Sequence, residues 1–103
     1  MKTSLTLKQL KALNLFNHTV RQSNVLTECL DQMQLDAINS NCSVELRKIK
    51  RSYTACNRLR TVNTKVINKL YVSILQPLNN TKIDETFNSV FDNSSRHHKF
   101  INE

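Results

Sequence analysis

The sequence predicts an all-α protein: an antiparallel helical hairpin of coiled-coil type, followed by a short third helix and a flexible C-terminal tail. The 103 residues include no Gly and a single Pro, Pro77, so the residues that form tight hairpin turns and phosphate-binding loops are nearly absent. Two long stretches carry apolar residues at alternating steps of three and four, which is the period of a packed helix. A short run of small polar residues, 39–43, separates the two stretches.

The first helix is predicted over residues 6–38 and the second over 44–76, with a turn at 39–43 between them. The second helix has the stronger period, because seven of its nine repeat positions hold residues that can be buried. Pro77 ends it, since proline lacks the N–H group that a continuing helix needs. The nine repeat positions form the predicted assembly seam, here called the inner seam: Leu46, Ile49, Tyr53, Cys56, Arg60, Asn63, Ile67, Leu70 and Ile74.

The apolar positions of the two helices match when the chain folds back at the turn. Facing residues then have numbers that sum to 83, which pairs Phe16 with Ile67 and Leu30 with Tyr53. This pairing predicts an antiparallel hairpin within one chain. The alternative is that each helix meets a helix of another chain, and periodicity alone leaves both arrangements open.

A polar layer interrupts the inner seam, with Arg60 opposite Ser23 and Asn63 next to it. Such a layer typically fixes the register or the number of partners at a cost in stability. We expect the stem of Arg60 to lie along the seam while its guanidinium group reaches water. The alternative is a buried charge that selects the partner.

After Pro77 the sequence predicts a short third helix over 82–92, with Thr81 as its cap. Asn79 and Asn80 are candidate residues for a helix end, where Asn can adopt the left-handed conformation in place of Gly. Residues 1–92 are predicted to form a single domain. Residues 93–103 show no period and are predicted to be a disordered tail.

The net charge of +7 comes from one region of the chain. From Leu46 to Ile83 there are nine Lys or Arg residues and no Asp or Glu. Exposed helix faces normally mix acidic with basic residues, so the missing acids favour an anionic partner over a face that is merely solvated. Five of the nine cations share the side of the second helix that is opposite the inner seam; this basic face consists of Arg47, Arg51, Arg58, Lys65 and Lys69.

The sequence contains no catalytic, cofactor-binding or metal-ligating pattern, so we expect no enzyme, no cofactor and no small-molecule substrate. No nucleophile stands beside a base, and the three cysteines are an odd set with long gaps. His97 and His98 are adjacent and lack a companion at ligand spacing. The N-terminal residues show no signal-peptide core, which predicts an intracellular protein of the cytoplasm or nucleus. Membrane binding is disfavoured because Arg60 and Asn63 lie on the apolar side of the second helix.

These features predict a non-enzymatic helical interaction or adaptor protein that assembles through the inner seam, as a subunit of a larger complex or as a homo-oligomer. Its partner would be another helical protein or a second copy. The alternative is a nucleic-acid-associated protein whose basic face binds the phosphate backbone. With its two heptad-bearing helices and the stretch Val20-Arg21-Gln22-Ser23, the chain resembles small coiled-coil subunits of multisubunit assemblies, such as snapin-type subunits of organelle-trafficking complexes. The resemblance is one of layout and assigns no family.

Overall fold

The structure, a computed structural model of the chain, describes the backbone of residues 5–102 and the side chains of residues 5–92. It is all-helical, and no strand occurs in this part of the chain. Three helices follow one another as α1 (Leu7–Asn39), α2 (Ser43–Leu70) and α3 (Thr81–Asn102). Helix α1 packs extensively on α2, and the molecule is a rod of 61 × 19 × 18 Å.

The first two helices begin where the sequence predicts them, to within one residue. Thr6 precedes α1 and forms a capping box with Gln9: the Gln9 N–H donates to Thr6 Oγ1 at 3.1 Å and the Thr6 N–H donates to Gln9 Oε1 at 2.9 Å. Helix α2 begins at Ser43 and has Glu45 in its first turn, where a negative charge interacts favourably with the helix dipole.

The C-terminal end of the second helix differs from the predicted regular helix to residue 76. The α-helix stops at Leu70 and continues as a π-helical turn, Tyr71–Leu75, and a 3-10 turn, Gln76–Leu78. Pro77 explains the change, because its ring crowds the carbonyl group four residues earlier and its nitrogen cannot donate to it. Asn79 then adopts a left-handed conformation with φ 53°, the role predicted for Asn in place of Gly.

Helix α3 begins at Thr81, so the predicted cap at Thr81 is wrong by one residue. Asn80 caps the helix instead, since its Oδ1 accepts from the Ile83 N–H at 3.2 Å. The helix ends at Asn102, ten residues later than the predicted end at 92, and no Pro or Gly in this stretch would stop it. The side chains of residues 93–103 lie outside the described part of the chain, and the predicted disorder of this tail stays a prediction.

The main apolar core joins all three helices. It combines residues from the N-terminal half of α1, the C-terminal end of the second helix and the first turns of α3. Its buried members are Ala12, Phe16, Val20, Ile67, Tyr71, Leu75, Ile83 and Val90. Nearer to the α1–α2 connection, Leu30 and Tyr53 are also buried.

Candidate binding surface on the second helix

All nine residues of the inner seam lie at buried or half-buried positions within the single chain. Tyr53, Arg60 and Ile67 are buried, and the other six are half-buried. Ile67 belongs to the same core cluster as Phe16 of α1, and the Cys56 thiol donates to the Leu26 carbonyl at 3.7 Å. The inner seam therefore contacts the chain's own first helix.

Past Leu70 the buried face moves by one residue from the predicted seam. Tyr71 and Leu75 are buried, whereas Ile74 is only half-buried. A π-helical turn adds one residue per turn, so burial proceeds in steps of four from Ile67 to Tyr71 to Leu75. The predicted seam assumed steps of three and four beyond Ile67 and therefore did not include this shift. Pro77 was the signal in the sequence that the preceding turn is irregular.

Arg60 is buried, with 2% of its surface exposed, so the expectation that its guanidinium group reaches water is wrong. Its Nε donates to Asn57 Oδ1 at 3.0 Å and its Nη2 donates to the same oxygen. Asn57 is also buried and was missed, although an amide three residues before an arginine can reach it on one helix face. Of the predicted polar layer, Ser23 and Arg60 are buried and Asn63 is half-buried, and Thr27 and Asn57 are further buried polar residues that were not predicted.

The charge of Arg60 lowers the pKa of two neighbouring groups, but burial has the larger, opposite effect on both. Burial raises the pKa of the Tyr53 hydroxyl, and the nearby guanidinium group lowers it in part. Burial likewise raises the pKa of the Cys56 thiol, against a smaller opposite effect of Arg60. A thiol whose pKa is raised is the opposite of an activated nucleophile.

All five residues of the basic face are exposed: Arg47, Arg51, Arg58, Lys65 and Lys69. An open depression of about 360 Å³ lies within this region. It is lined by Lys50, Arg51, Thr54, Ala55 and Arg58. The arrangement places three cations around two small residues.

An exposed apolar row runs along α2 beside the basic face. Leu59 is 60% exposed and Val62 is 57% exposed, with Ala55 exposed and Val66 half-buried next to them. Sequence reasoning missed this row because it assigned the helix a single apolar side. The signal was present in the steps of four, three and four that connect Ala55, Leu59, Val62 and Val66.

The rest of the described surface offers little reactive chemistry. All three cysteines are free: Cys29 and Cys42 are exposed, and Cys56 is half-buried. Between residues 5 and 92 no cluster of His, Cys, Asp or Glu is suited to a metal ion, and His97 and His98 lie outside the described side chains.

Comparison with known proteins found no protein-family model, no curated protein and no solved structure that matches the chain. No helix in the described part of the chain has the length and apolar character needed to cross a membrane. The fold defines an all-helical protein, and the side of α2 that faces away from α1 is its most distinctive surface.

Proposed function

We propose that the chain is a non-enzymatic helical interaction or adaptor protein, in which the inner seam builds an antiparallel hairpin and the exposed side of α2 binds a partner protein. One observation carries this proposal. The inner seam is occupied inside the chain, while the basic face and the apolar row beside it remain exposed. The partner surface is therefore the outer side of α2, and the inner seam serves the fold.

Three residue pairs between α1 and α2 support the antiparallel hairpin. Cys56 meets Leu26, Ile67 shares a core with Phe16, and the carboxylate of Asp31 lies near enough to Tyr53 to raise the pKa of its hydroxyl. Residue numbers in these pairs sum to between 82 and 84, close to the predicted 83. Moving toward the C-terminus of α1 therefore corresponds to moving toward the N-terminus of α2, as in an antiparallel pair.

A cysteine pair tests the hairpin. In a background without the three native cysteines, Val20→Cys and Asn63→Cys should cross-link within a monomer upon oxidation. Cross-linking only between chains would reject the antiparallel hairpin. The single variant Val20→Cys is the control, because it can form only a dimer.

The proposal favours a subunit of a larger complex over a homo-oligomer. Assembly through the inner seam would require α1 and α2 to separate first, at the cost of their buried contacts. We expect the helicity and the mass of the purified protein to stay constant on dilution, as measured by circular dichroism and sedimentation. Helicity that falls together with the mass would place the inner seam between chains.

Capture of partners from cell extract tests the function itself. The chain is immobilised and compared with a variant in which all five basic-face residues are changed to Gln, with and without nuclease treatment. A protein that is retained after nuclease and lost with the variant supports the proposal. Capture that disappears with nuclease contradicts it.

Binding to a nucleic-acid backbone is the second candidate function, and the exposure of the whole basic face favours it. From Arg47 to Lys69 this face extends for about 33 Å along α2 at 1.5 Å per residue. Phosphate binding would weaken by orders of magnitude between roughly 50 and 200 mM salt. The free cysteines suit a reducing compartment such as the cytoplasm or nucleus for either function.

A further inference from the structure

We infer that α2 carries a second heptad seam, exposed and built to receive one helix of an acidic partner protein. This outer seam consists of Ser52, Ala55, Leu59, Val62 and Val66, at steps of three, four, three and four. Each of its residues directly precedes a residue of the inner seam, so it lies about 100° around the helix axis from that seam, at 100° per residue. The inference rests on the proposed function and specifies the partner.

The positions of the outer seam are open to a partner. Ser52, Ala55, Leu59 and Val62 are exposed, and Val66 is half-buried. In a coiled coil, alternating steps of three and four mark the a and d positions that insert between the side chains of a facing helix. The outer seam thus repeats the geometry by which the inner seam packs, on a side where α2 exposes Leu59 and Val62 to water.

Charges flank the outer seam on one side with a repeat of seven residues. Arg51, Arg58 and Lys65 each come directly before an a position, which is the g position of the heptad, and all three are exposed. Charges at g select the partner and its orientation through ion pairs between helices. The opposite flank is neutral, since its residues Cys56 and Asn63 belong to the inner seam. A helix that pairs here needs Asp or Glu at seven-residue intervals beside its own apolar stripe.

The depression within the basic face fits this role. Its lining includes Arg51 and Arg58, two of the three g-position cations, and Ala55, a d position of the outer seam, so the depression lies along the cationic flank of that seam. A carboxylate that enters the depression meets guanidinium donors whose fork geometry matches its two oxygens.

A second copy of the chain does not supply the required charges. A two-fold interface through the outer seam would bring the same surface of both copies together. Every charged residue of that surface is basic, because no Asp or Glu occurs between Leu46 and Ile83. Like charges would face each other at each repeat, which disfavours the dimer.

A nucleic acid uses the charges but leaves the apolar row unexplained. Phosphate contacts need cations and hydrogen-bond donors, and they gain nothing from exposed Leu59 and Val62. Burying those two side chains against a partner removes apolar surface from water, which is favourable. The combination of an apolar row with a cationic flank therefore indicates an amphipathic acidic helix. From Ala55 to Val66 the row is about 17 Å long, which matches about three turns of such a helix.

The probe for this inference is a synthetic three-heptad peptide with Ile at a, Leu at d and Glu at e and g, whose own Glu residues oppose its self-association. Fluorescence anisotropy measures its binding to the full chain. A second peptide carries Gln in place of every Glu. We expect the Glu peptide to bind at least about tenfold more tightly than the Gln peptide.

Two variants of the chain locate the binding. The double variant Leu59→Asn and Val62→Asn removes the apolar row, and the triple variant Arg51→Gln, Arg58→Gln and Lys65→Gln removes the flanking charges. Each should weaken binding of the Glu peptide by at least about tenfold. Exposed residues of α1 provide matched controls: Val25→Asn with Leu35→Asn for the apolar row, and Lys8→Gln, Lys11→Gln and Arg21→Gln for the charges. Both controls should bind as the unaltered chain does.

Several outcomes would overturn the inference: no binding of the Glu peptide, equal binding of the two peptides, or equal losses with the α1 controls. An oligonucleotide can also be tested as a competitor. If it displaces the Glu peptide and binds the Asn double variant as tightly as it binds the unaltered chain, the surface is assigned to nucleic acid. Self-association that the Asn double variant abolishes would assign it to a second copy. If the peptide fails while a nuclease-resistant protein is still captured through the basic face, only the acidic-helix inference falls and the proposed function stands.

Discussion

The inner and outer seams of α2 share one period but differ in burial. The inner seam is buried or half-buried along its whole length, and its largest members include Tyr53 and Ile67. The outer seam has smaller residues such as Ala55 and Val62, and only Val66 is half-buried. The two seams belong to one helix, so helix propensity does not separate them. A matching apolar side on α1 covers the inner seam.

This difference shows that a heptad pattern identifies a helix face suited to packing without identifying what covers it. The inner seam has its complement in the same chain. The outer seam is flanked by Arg51, Arg58 and Lys65, and its complement must bring negative charge. Substitutions in the inner seam should therefore act on stability, and those in the outer seam should act on binding.

The largest expected effect is that of Ile67→Ala in the inner seam. Ile67 is fully buried in the core that joins the three helices, and removing its side chain leaves a cavity. We expect a loss of about 2–5 kcal/mol in the free energy of unfolding. The measurement is urea unfolding followed by circular dichroism. Val66→Ala is the matched control on the same helix, and an equal loss there would contradict the distinction between the seams.

The polar layer should give the next largest effect. Asn57→Ala removes the oxygen that accepts from the buried Arg60 side chain, and hydrogen bonds to charged groups contribute about 1.5–3 kcal/mol. We expect a loss of that size in the free energy of unfolding.

Adding Arg60→Met to this variant should recover at least half of the loss, because an apolar side chain of similar length needs no polar partner. A double-mutant cycle in urea measures the coupling. Additive losses from the two substitutions would show that the pair contributes nothing jointly.

Much of the fold could be predicted from the sequence, for physical reasons that differ between elements. The steps of three and four identified α1, α2 and the inner seam, and the absence of acids identified an exposed basic face. The end of α2 could not be predicted, because the response of the backbone to Pro77 depends on which carbonyl groups can be reached. The length of α3 was missed since no residue between 93 and 102 favours or forbids helix strongly enough to decide.

The candidate site was only half predicted. The five basic residues followed from charge and period, but the apolar row beside them was overlooked, as was Asn57. Exposure depends on which side of α2 is covered by α1 and α3. When a helix has several apolar stripes, its sequence alone does not show which stripe the other helices cover. The same limit applies to Arg60, whose burial depends on Asn57 and on the helices around it.

A smaller effect is expected for Tyr71→Phe at neutral pH, with a larger consequence at alkaline pH. The Tyr71 hydroxyl donates to Asp84 Oδ1 at 2.6 Å, and its ring stacks on Phe87 with 3.8 Å between centroids. The hydrogen bond to Asp84 is the main cause that raises the pKa of Tyr71 above its ordinary value of 10.0, and burial adds to it. The substitution keeps the ring and removes the hydroxyl.

Because the folded state holds this proton more tightly than the unfolded chain, its contribution is complete below pH 10 and is lost as pH rises through the higher folded-state pKa. The unaltered chain should lose stability more steeply than Tyr71→Phe in urea unfolding between about pH 8 and about pH 11. Burial also raises the pKa of Tyr53, so Tyr53→Phe serves as a control: it should retain the alkaline loss of stability that is due to Tyr71. Identical alkaline slopes for the chain and Tyr71→Phe would show that the hydrogen bond to Asp84 does not stabilise the fold.

The smallest expected effect on stability belongs to the outer seam. The double variant Leu59→Asn and Val62→Asn changes side chains that are 60% and 57% exposed, so little surface leaves or enters water within the chain. We expect the free energy of unfolding to stay within about 0.5 kcal/mol per substitution, with most of any loss due to the lower helix propensity of Asn. Asn at both positions replaces the apolar side chains by polar ones without adding charge, so the comparison isolates the apolar surface. Urea unfolding of the isolated chain measures this, and a loss as large as that of Ile67→Ala would mean that the outer seam is already covered within the fold and is not available to a partner.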